Sequence, residues 1–155
     1  MGGDQSSSVF NPWLKVFLVF ILVNMKSVDL DDVRLSVEDR GEGRPLLFVH
    51  GFPLDHSMWQ AQIEEFSQLG YRTIAPDLRG FGQSELGAGP VTMERYADDL
   101  YRLLDRLGVT KPVVYCGLSM GGYGTWALIE GNPKLFAAAV PMSGGDDTSK
   151  AASIA

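Results

Sequence analysis

The sequence predicts a three-layer α/β/α protein with a doubly wound, mostly parallel β-sheet. Short apolar runs alternate with longer segments in which apolar residues recur every three or four positions, the pattern of βαβ units. Two runs, Leu46–His50 and Val113–Cys116, are almost entirely apolar, as expected of strands that are buried on both faces. The chain has 155 residues, of which 45% are hydrophobic and 21% charged, and this composition is typical of one globular domain.

The predicted strands begin at Val28. Alternating apolar residues around an acidic turn predict a β-hairpin over 28–37, and glycines and a proline predict a loop over 40–45. The remaining predicted strands are Leu46–His50, Arg72–Ala75, Val113–Cys116 and Phe136–Val140. Residues 28–155 are therefore expected to form the core, and residues 1–27 an amino-terminal extension.

Three helices are predicted between these strands. Ser57 is the expected N-cap of the first, with Gln60 in capping-box spacing and Gly70 as its stop. The second helix is expected to have Thr92 as its N-cap and Gly108 as its stop. The third is expected over Met120–Glu130, because Gly131-Asn132-Pro133 follows and stops it.

Composition excludes several classes of function. The net charge of −6 and the absence of a basic cluster argue against a nucleic-acid partner, because phosphates are bound by basic faces. Cys116 is the single cysteine, so no intrachain disulfide or thiolate metal cluster can form. No metal, nucleotide or flavin signature is present, so neither a metal nor a cofactor is predicted. The cysteine count favours a cytoplasmic protein.

The amino-terminal extension contains an apolar segment, Trp13–Val23, interrupted by Lys15. It is shorter than the roughly 20 apolar residues that a membrane span needs. It also lacks a small-residue cleavage site and a basic flank before it, which argues against a signal peptide. We interpret Met25 as the natural start, with membrane association or export through Trp13–Val23 as the alternative.

Ser119 is the strongest candidate for chemistry. It stands in a G-x-S-x-G motif between a predicted strand and a predicted helix, which places a nucleophile on a strained turn. The N–H of Met120, at the start of that helix, is the expected first oxyanion donor. The segment His50-Gly51-Phe52-Pro53 follows the first parallel strand, and the N–H of Phe52 is the expected second donor.

Three motifs in this order resemble the α/β-hydrolase superfamily: His50–Asp55, Asp77–Ser84 and Gly117–Gly122. The resemblance implies an α/β-hydrolase fold without its carboxy-terminal part, and a small-molecule ester or other acyl substrate. Epoxide hydrolases and dehalogenases carry aspartate where this chain has Ser119, so the resemblance favours a serine hydrolase. Asp77 and Ser84 are expected to brace the loops by local hydrogen bonds.

The sequence has no histidine after Ser119 that could complete a catalytic triad. The family places its acid and histidine after the nucleophile, whereas this chain has only His50 and His56. We interpret His50 as structural, with its ring bonded to neighbouring backbone, and His56 as a surface or capping residue. Asp146 is a conceivable acid, although a solvated loop carboxylate is the favoured interpretation.

Two alternatives to an active hydrolase therefore remain open. The chain is either a non-catalytic member of the fold that binds a ligand or partner, or a gene fragment. It stops about where the family inserts a lid, so the edge of its last strand should be exposed. Marginal stability or self-association through that edge is the expected consequence.

Overall fold

The computed structural model describes residues 25–145, which form a six-stranded sheet with helices on both faces. The strand order is β1-β2-β4-β3-β5-β6. β1 and β2 form an antiparallel hairpin and β2 is antiparallel to β4, whereas β4, β3, β5 and β6 are parallel. The strands are β1 Met25–Asp29, β2 Arg34–Arg40, β3 Pro45–Val49, β4 Arg72–Pro76, β5 Val113–Leu118 and β6 Phe136–Met142.

Three α-helices cover the two faces of this sheet. They are α1 Gln60–Gln68, α2 Met93–Arg106 and α3 Met120–Gly131. On one face, Ile63 of α1 packs in a cluster with Phe48 and the 7% exposed Trp59. On the other face, α2 and α3 bury their apolar residues against β5, with Leu100, Leu104, Tyr115 and Leu128 in a single cluster. The predicted three-layer, mostly parallel α/β architecture is thus confirmed.

The helix boundaries test the predicted caps. The hydroxyl of Thr92 accepts the N–H of Arg95 at the start of α2, and Gly108 follows that helix with a φ of 65°. The prediction for Ser57 was wrong, since the side chain of Asp55 is the cap and accepts the N–H of Ser57 at 2.9 Å. Asp55 starts a short 3₁₀ helix, His56–Trp59, and α1 begins only after it.

Several strands extend further than predicted: β2 reaches Arg40 and β3 starts at Pro45, which shortens the predicted loop over 40–45, and β5 reaches Leu118. β1 already begins at Met25, and β6 continues through Pro141 to Met142. Proline is tolerated there because β6 pairs only with β5 in the part of the chain that the structure describes, and an edge strand can leave one side without N–H donors. The exposed last edge predicted from the sequence is therefore β6.

The sheet reverses its winding direction between β3 and β5. From β3 the chain passes through α1 to β4 on one side, and from β5 it passes through α3 to β6 on the other. Such a switch point leaves a crevice at the carboxyl ends of the two strands, where open α/β sheets bind ligands. Val49, the last residue of β3, pairs with Gly117, so the segments that follow both strands start from the same edge.

Candidate active site

Ser119 occupies a sharp turn between β5 and α3. Its φ of 52° and ψ of −111° are rare for a residue with a side chain, and such strain persists only where the surroundings enforce it. The N–H of Ser119 donates to the carbonyl of Met142 at 2.8 Å, which ties the turn to the end of β6. The backbone thus has the strained strand-to-helix geometry that the motif predicts.

The glycines around Ser119 allow α3 to approach the sheet closely. A Cβ atom at Gly117 would lie 2.3 Å from the carbonyl oxygen of Gly121. A Cβ at Gly121 would lie 2.4 Å from the carbonyl oxygen of Val49, and one at Gly122 would lie 2.7 Å from that of Met142. These neighbours are backbone atoms that cannot rotate away, so the positions require glycine.

Two hydroxyl groups hold the first turn of α3 from inside the protein. The hydroxyl of Tyr115, on β5, and that of Thr125, on α3, each donate to the carbonyl of Gly121 at 2.9 Å. Both side chains are completely buried. The sequence patterns do not predict this pair of hydroxyl donors. The one available signal was Tyr115, a polar aromatic residue inside an otherwise apolar strand.

The loop Gly51–Asp55, here called the 51–55 loop, lies beside this turn. A Cβ at Gly51 would be 2.8 Å from the carbonyl oxygen of Leu118 and 3.0 Å from the Cβ of Ser119. Phe52 follows Gly51 and Met120 follows Ser119, so both predicted oxyanion donors are one residue from this contact. Among residues 25–145, neither N–H donates a hydrogen bond to another protein group.

The side chain of Phe52 projects outward from the 51–55 loop. It is 71% exposed, and its ring meets that of Phe81 edge to face at a centroid distance of 5.9 Å. The N–H of Leu54 donates to the carbonyl of Gly51 at 2.8 Å and closes the loop into a turn. The loop thus presents a backbone turn and an aromatic surface at the carboxyl edge of β3.

His50 anchors the start of the 51–55 loop. Its Nε2 accepts the N–H of Leu78 at 2.9 Å, which leaves the proton on Nδ1, 3.1 Å from the carbonyl oxygen of Gly51. Burial lowers the pKa of His50, so the ring is neutral at physiological pH, as this bonding pattern requires. The predicted structural role of His50, with its ring bonded to neighbouring backbone, agrees with this geometry.

His56 is not the surface residue that the sequence suggested. Only 8% of it is exposed, and its Nδ1 lies 2.6 Å from Oδ1 of Asp77. The Asp77 hydrogen bond raises the pKa of His56 in spite of burial. No hydrogen bond joins either histidine ring to Ser119 in the described part of the chain.

Asp77 and Ser84 brace the loops, as predicted. Both carboxylate oxygens of Asp77 accept backbone donors, from His56 and Gln83, and the hydroxyl of Ser84 donates to the carbonyl of Asp77 at 2.7 Å. The same hydroxyl accepts the N–H of Ser36 on β2. Burial raises the pKa of Asp77, but the hydrogen bonds from His56 and Gln83 outweigh it, and the pKa lies below its usual value.

One group of side chains within residues 25–145 has the spacing of a metal site. The ligand atoms of Asp55, His56 and Asp77 lie within 4.8 Å of one another. Oδ1 of Asp55 accepts the N–H of Ser57, however, and Oδ1 of Asp77 accepts from both the backbone and the ring of His56. Because protein donors already occupy these oxygens, the trio fits a structural brace better than a metal centre.

One cavity lies at the edge of the sheet opposite Ser119. It has a volume of about 390 Å³ and is lined by Pro45 and Arg72, which start β3 and β4, and by the segment 108–111 before β5. These residues lie at the amino ends of the parallel strands, the edge opposite Ser119. Asp146, the candidate acid, lies outside the described residues.

The overall fold agrees with comparisons to known proteins. A family model described as the alpha/beta hydrolase fold matches residues 44–154. The chain belongs to the α/β-hydrolase family. No helix within residues 25–145 of this α/β-hydrolase has the length and apolarity needed to cross a membrane, and Trp13–Val23 lies outside that range.

Individual relatives include several kinds of α/β-hydrolase. The chain is 40% identical over 92 residues to the AB hydrolase superfamily protein YisY of Bacillus subtilis, covering 59% of this chain and 34% of YisY. It is 34% identical over 119 residues to epoxide hydrolase 2 of Siraitia grosvenorii, covering 76% of this chain and 37% of that protein. A solved thermophilic esterase from Thermogutta terrifontis is 45% identical, with a TM-score of 0.67 over 74% of this chain and 42% of the esterase. The chain thus spans little more than a third of the length of these curated relatives.

Proposed function

We propose that this chain carries the nucleophile and oxyanion donors of a serine hydrolase that acts on carboxylic esters or related small acyl compounds. The observation that carries the proposal is the strained backbone of Ser119, with a φ of 52°, at the switch point of the sheet. A turn of this kind exposes the serine hydroxyl while the N–H groups beside it remain available as donors. The similarity to a solved esterase supports an ester as the substrate class.

In the proposed reaction, Oγ of Ser119 attacks the carbonyl carbon of the substrate while a base removes its proton. The N–H groups of Phe52 and Met120 donate to the oxyanion of the tetrahedral intermediate. Collapse of this intermediate, with the proton passed from the base to the leaving oxygen, expels the alcohol and leaves an acyl-serine. Water then hydrolyses the acyl-serine to a carboxylic acid and free Ser119. Each oxyanion donor contributes about 3–4 kcal/mol to lowering such a barrier.

In this proposal the histidine base comes from outside the 155 residues, whose two histidines are His50 and His56, and the orienting acid lies outside the described residues. Nε2 of His50 already accepts the N–H of Leu78, and Nε2 of His56 faces Glu38 at 3.9 Å. Within residues 25–145 neither ring is hydrogen-bonded to Ser119, so neither is placed to accept its proton. The family resemblance implies an acid and a histidine downstream of the nucleophile. Residues 28–155 then form the amino-terminal portion of the hydrolase core, and residues 1–27 an extension whose last three residues, 25–27, belong to β1.

A non-catalytic protein that binds a small ligand or a partner is the second candidate. The same bonding of His50 and His56 favours it, because residues 25–145 offer Ser119 no histidine base. Chemistry of the epoxide hydrolase kind is less well supported, because the nucleophile position holds serine. For either candidate we propose a cytoplasmic location, with membrane association or export through Trp13–Val23 as the alternative.

A fluorophosphonate probe tests the proposed nucleophile. We expect imidazole, added as the missing base, to let the probe modify Ser119, as identified by mass spectrometry of the labelled peptide, and to give hydrolysis of a chromogenic short-chain ester above the rate without protein. Ser119→Ala should abolish both signals, whereas Ser67→Ala, which replaces a serine on α1, should change neither. Absence of both labelling and hydrolysis in the unaltered chain would sink the catalytic proposal and leave the binding protein.

A further inference from the structure

Two histidines attach the two ends of the 51–55 loop to the same turn after β4. At its start, His50 Nε2 accepts the N–H of Leu78 at 2.9 Å. At its end, the backbone N–H and Nδ1 of His56 lie 2.9 and 2.6 Å from Oδ1 of Asp77. We propose that His56, bound to Asp77, is a positioning residue that holds the N–H of Phe52 in place for the reaction. This inference rests on the proposed hydrolase function.

The His56–Asp77 contact has the features of a strong hydrogen bond. His56 is 8% exposed and Asp77 is completely buried, so the bond is shielded from water. The distance of 2.6 Å is short, as expected when a charged Nδ1–H donates to a carboxylate. This bond, and the nearby carboxylates, raise the pKa of His56, whereas burial lowers that of His50.

Further charged groups surround His56 on several elements. Oε2 of the buried Glu38, on β2, lies 3.9 Å from Nε2 of His56. Arg40 Nε approaches the other oxygen of Glu38 at 2.6 Å, although the pair is not aligned as a hydrogen bond. Asp55, in the 51–55 loop, also raises the pKa of His56. Glu64 on α1 raises the pKa of Glu38. Carboxylates thus face both ring nitrogens of His56.

The position of the 51–55 loop matters because it contacts the serine turn directly. A Cβ at Gly51 would lie 3.0 Å from the Cβ of Ser119, so little space separates the two segments. Without the ring of His56, the loop would keep its internal bond from Leu54 to Gly51 and the backbone bond from His56 to Asp77, but would lose the ring bond to the turn after β4. A displacement of about 1 Å in a catalytic group can reduce a rate by about a hundredfold.

Imidazole NMR tests the charged state of His56 without any need for enzymatic activity. The sequence contains two histidines, so an ¹⁵N-labelled sample gives two ring systems. We expect His56 to titrate above the ordinary pKa of 6.5, and Asp77→Asn to bring its midpoint down toward that value. A midpoint at or below 6.5 in the unaltered chain would overturn the proposal.

Hydrogen exchange and labelling kinetics test the positioning role. In His56→Ala we expect the Leu54 amide to exchange at least about tenfold faster and Ser119 to be phosphonylated about tenfold to a hundredfold more slowly. His56→Asn retains a donor toward Asp77 and should recover much of both. Val113→Ala, a buried truncation at the amino end of β5, serves as the control for general destabilisation.

The two readouts separate this inference from the proposed function. Equal Leu54 exchange in His56→Ala and Val113→Ala, or equal labelling rates in the two, would overturn the positioning role. If the unaltered chain is never labelled at Ser119, the hydrolase proposal fails, and the positioning role for its reaction fails with it. Faster Leu54 exchange in His56→Ala would then show only that His56 anchors the loop.

Discussion

The hydroxyl of Tyr115 donates a 2.9 Å hydrogen bond to the carbonyl of Gly121 and so joins β5 to the first turn of α3. The strained residue Ser119 lies between these two residues in the chain. The turn is therefore held by a bond from within the sheet as well as by its own backbone. Burial raises the pKa of Tyr115, so this hydroxyl keeps its proton and remains a donor.

Removing the hydroxyl of Tyr115 should destabilise the fold without leaving a large cavity in the core. Tyr115→Phe is expected to lower the free energy of unfolding by about 1 kcal/mol, since Thr125 still donates to Gly121. Urea denaturation measures the change, and Tyr101→Phe on the exposed side of α2 is the matched control. Equal effects of the two substitutions would contradict a stabilising role for the Tyr115 bond.

Close contact between α3 and β3 predicts a severe effect of one added methyl group. A Cβ at Gly121 would lie 2.4 Å from the carbonyl oxygen of Val49, so Gly121→Ala should lower the free energy of unfolding by about 3 kcal/mol or prevent folding. Gly131→Ala, at the other end of the same helix, meets nothing within 4 Å and should be neutral or stabilising by up to about 1 kcal/mol. Thermal melts of the two variants provide the comparison, and similar melting temperatures would refute the packing argument.

The raised pKa of His56 makes its contribution to stability depend on pH. The folded state holds the proton more tightly than the unfolded state, so the contribution is complete below pH 6.5 and is lost as pH rises through the folded pKa. The stability difference between the unaltered protein and His56→Asn should therefore shrink above pH 6.5. The opposite shift of His50 is common to both proteins and cancels in the difference.

Urea titrations at a series of pH values from about 6 to 8.5 test this dependence. Burial also raises the pKa of Glu38, whose usual value is 4.5. The pH dependence that Glu38 adds to the free energy of unfolding is therefore measured in the unaltered protein and in His56→Asn. A difference that stays constant across the series would show that His56 has the same pKa in the folded and unfolded chains.

Self-association through β6 is the remaining prediction from the sequence, and we propose it with a second copy of the chain as the partner. β6 is an edge strand among the described residues, with Ala138 and the 45% exposed Val140 on its surface. Ala138→Lys should reduce the concentration-dependent dimer measured by light scattering, because charge on an edge strand opposes pairing. Ala88→Lys, in an exposed loop, should leave it unchanged, and a monomer at all concentrations would contradict the proposal.

The parts of the site that could be predicted are those encoded by neighbouring residues. The spacing of Gly117, Ser119 and Gly121 reports the steric needs of one turn, and the caps Thr92 and Gly108 report local hydrogen bonds and backbone conformation. The role of His56 could not be read in this way. Its partner Asp77 is 21 residues away, and only the packing of the 3₁₀ helix His56–Trp59 against β4 brings the two together.

The sequence by itself determined the layer architecture, the order of the elements and the place of Ser119 in a strand-to-helix turn. These features follow from apolar periodicity and from glycine positions, which act over a few residues. The tertiary structure alone decided which polar groups support that turn and the loop beside it. Tyr115 and Thr125 donate to the first turn of α3, and Asp77 binds His56 at the end of the 51–55 loop. Burial makes those polar contacts strong, and burial exists only once distant strands have paired.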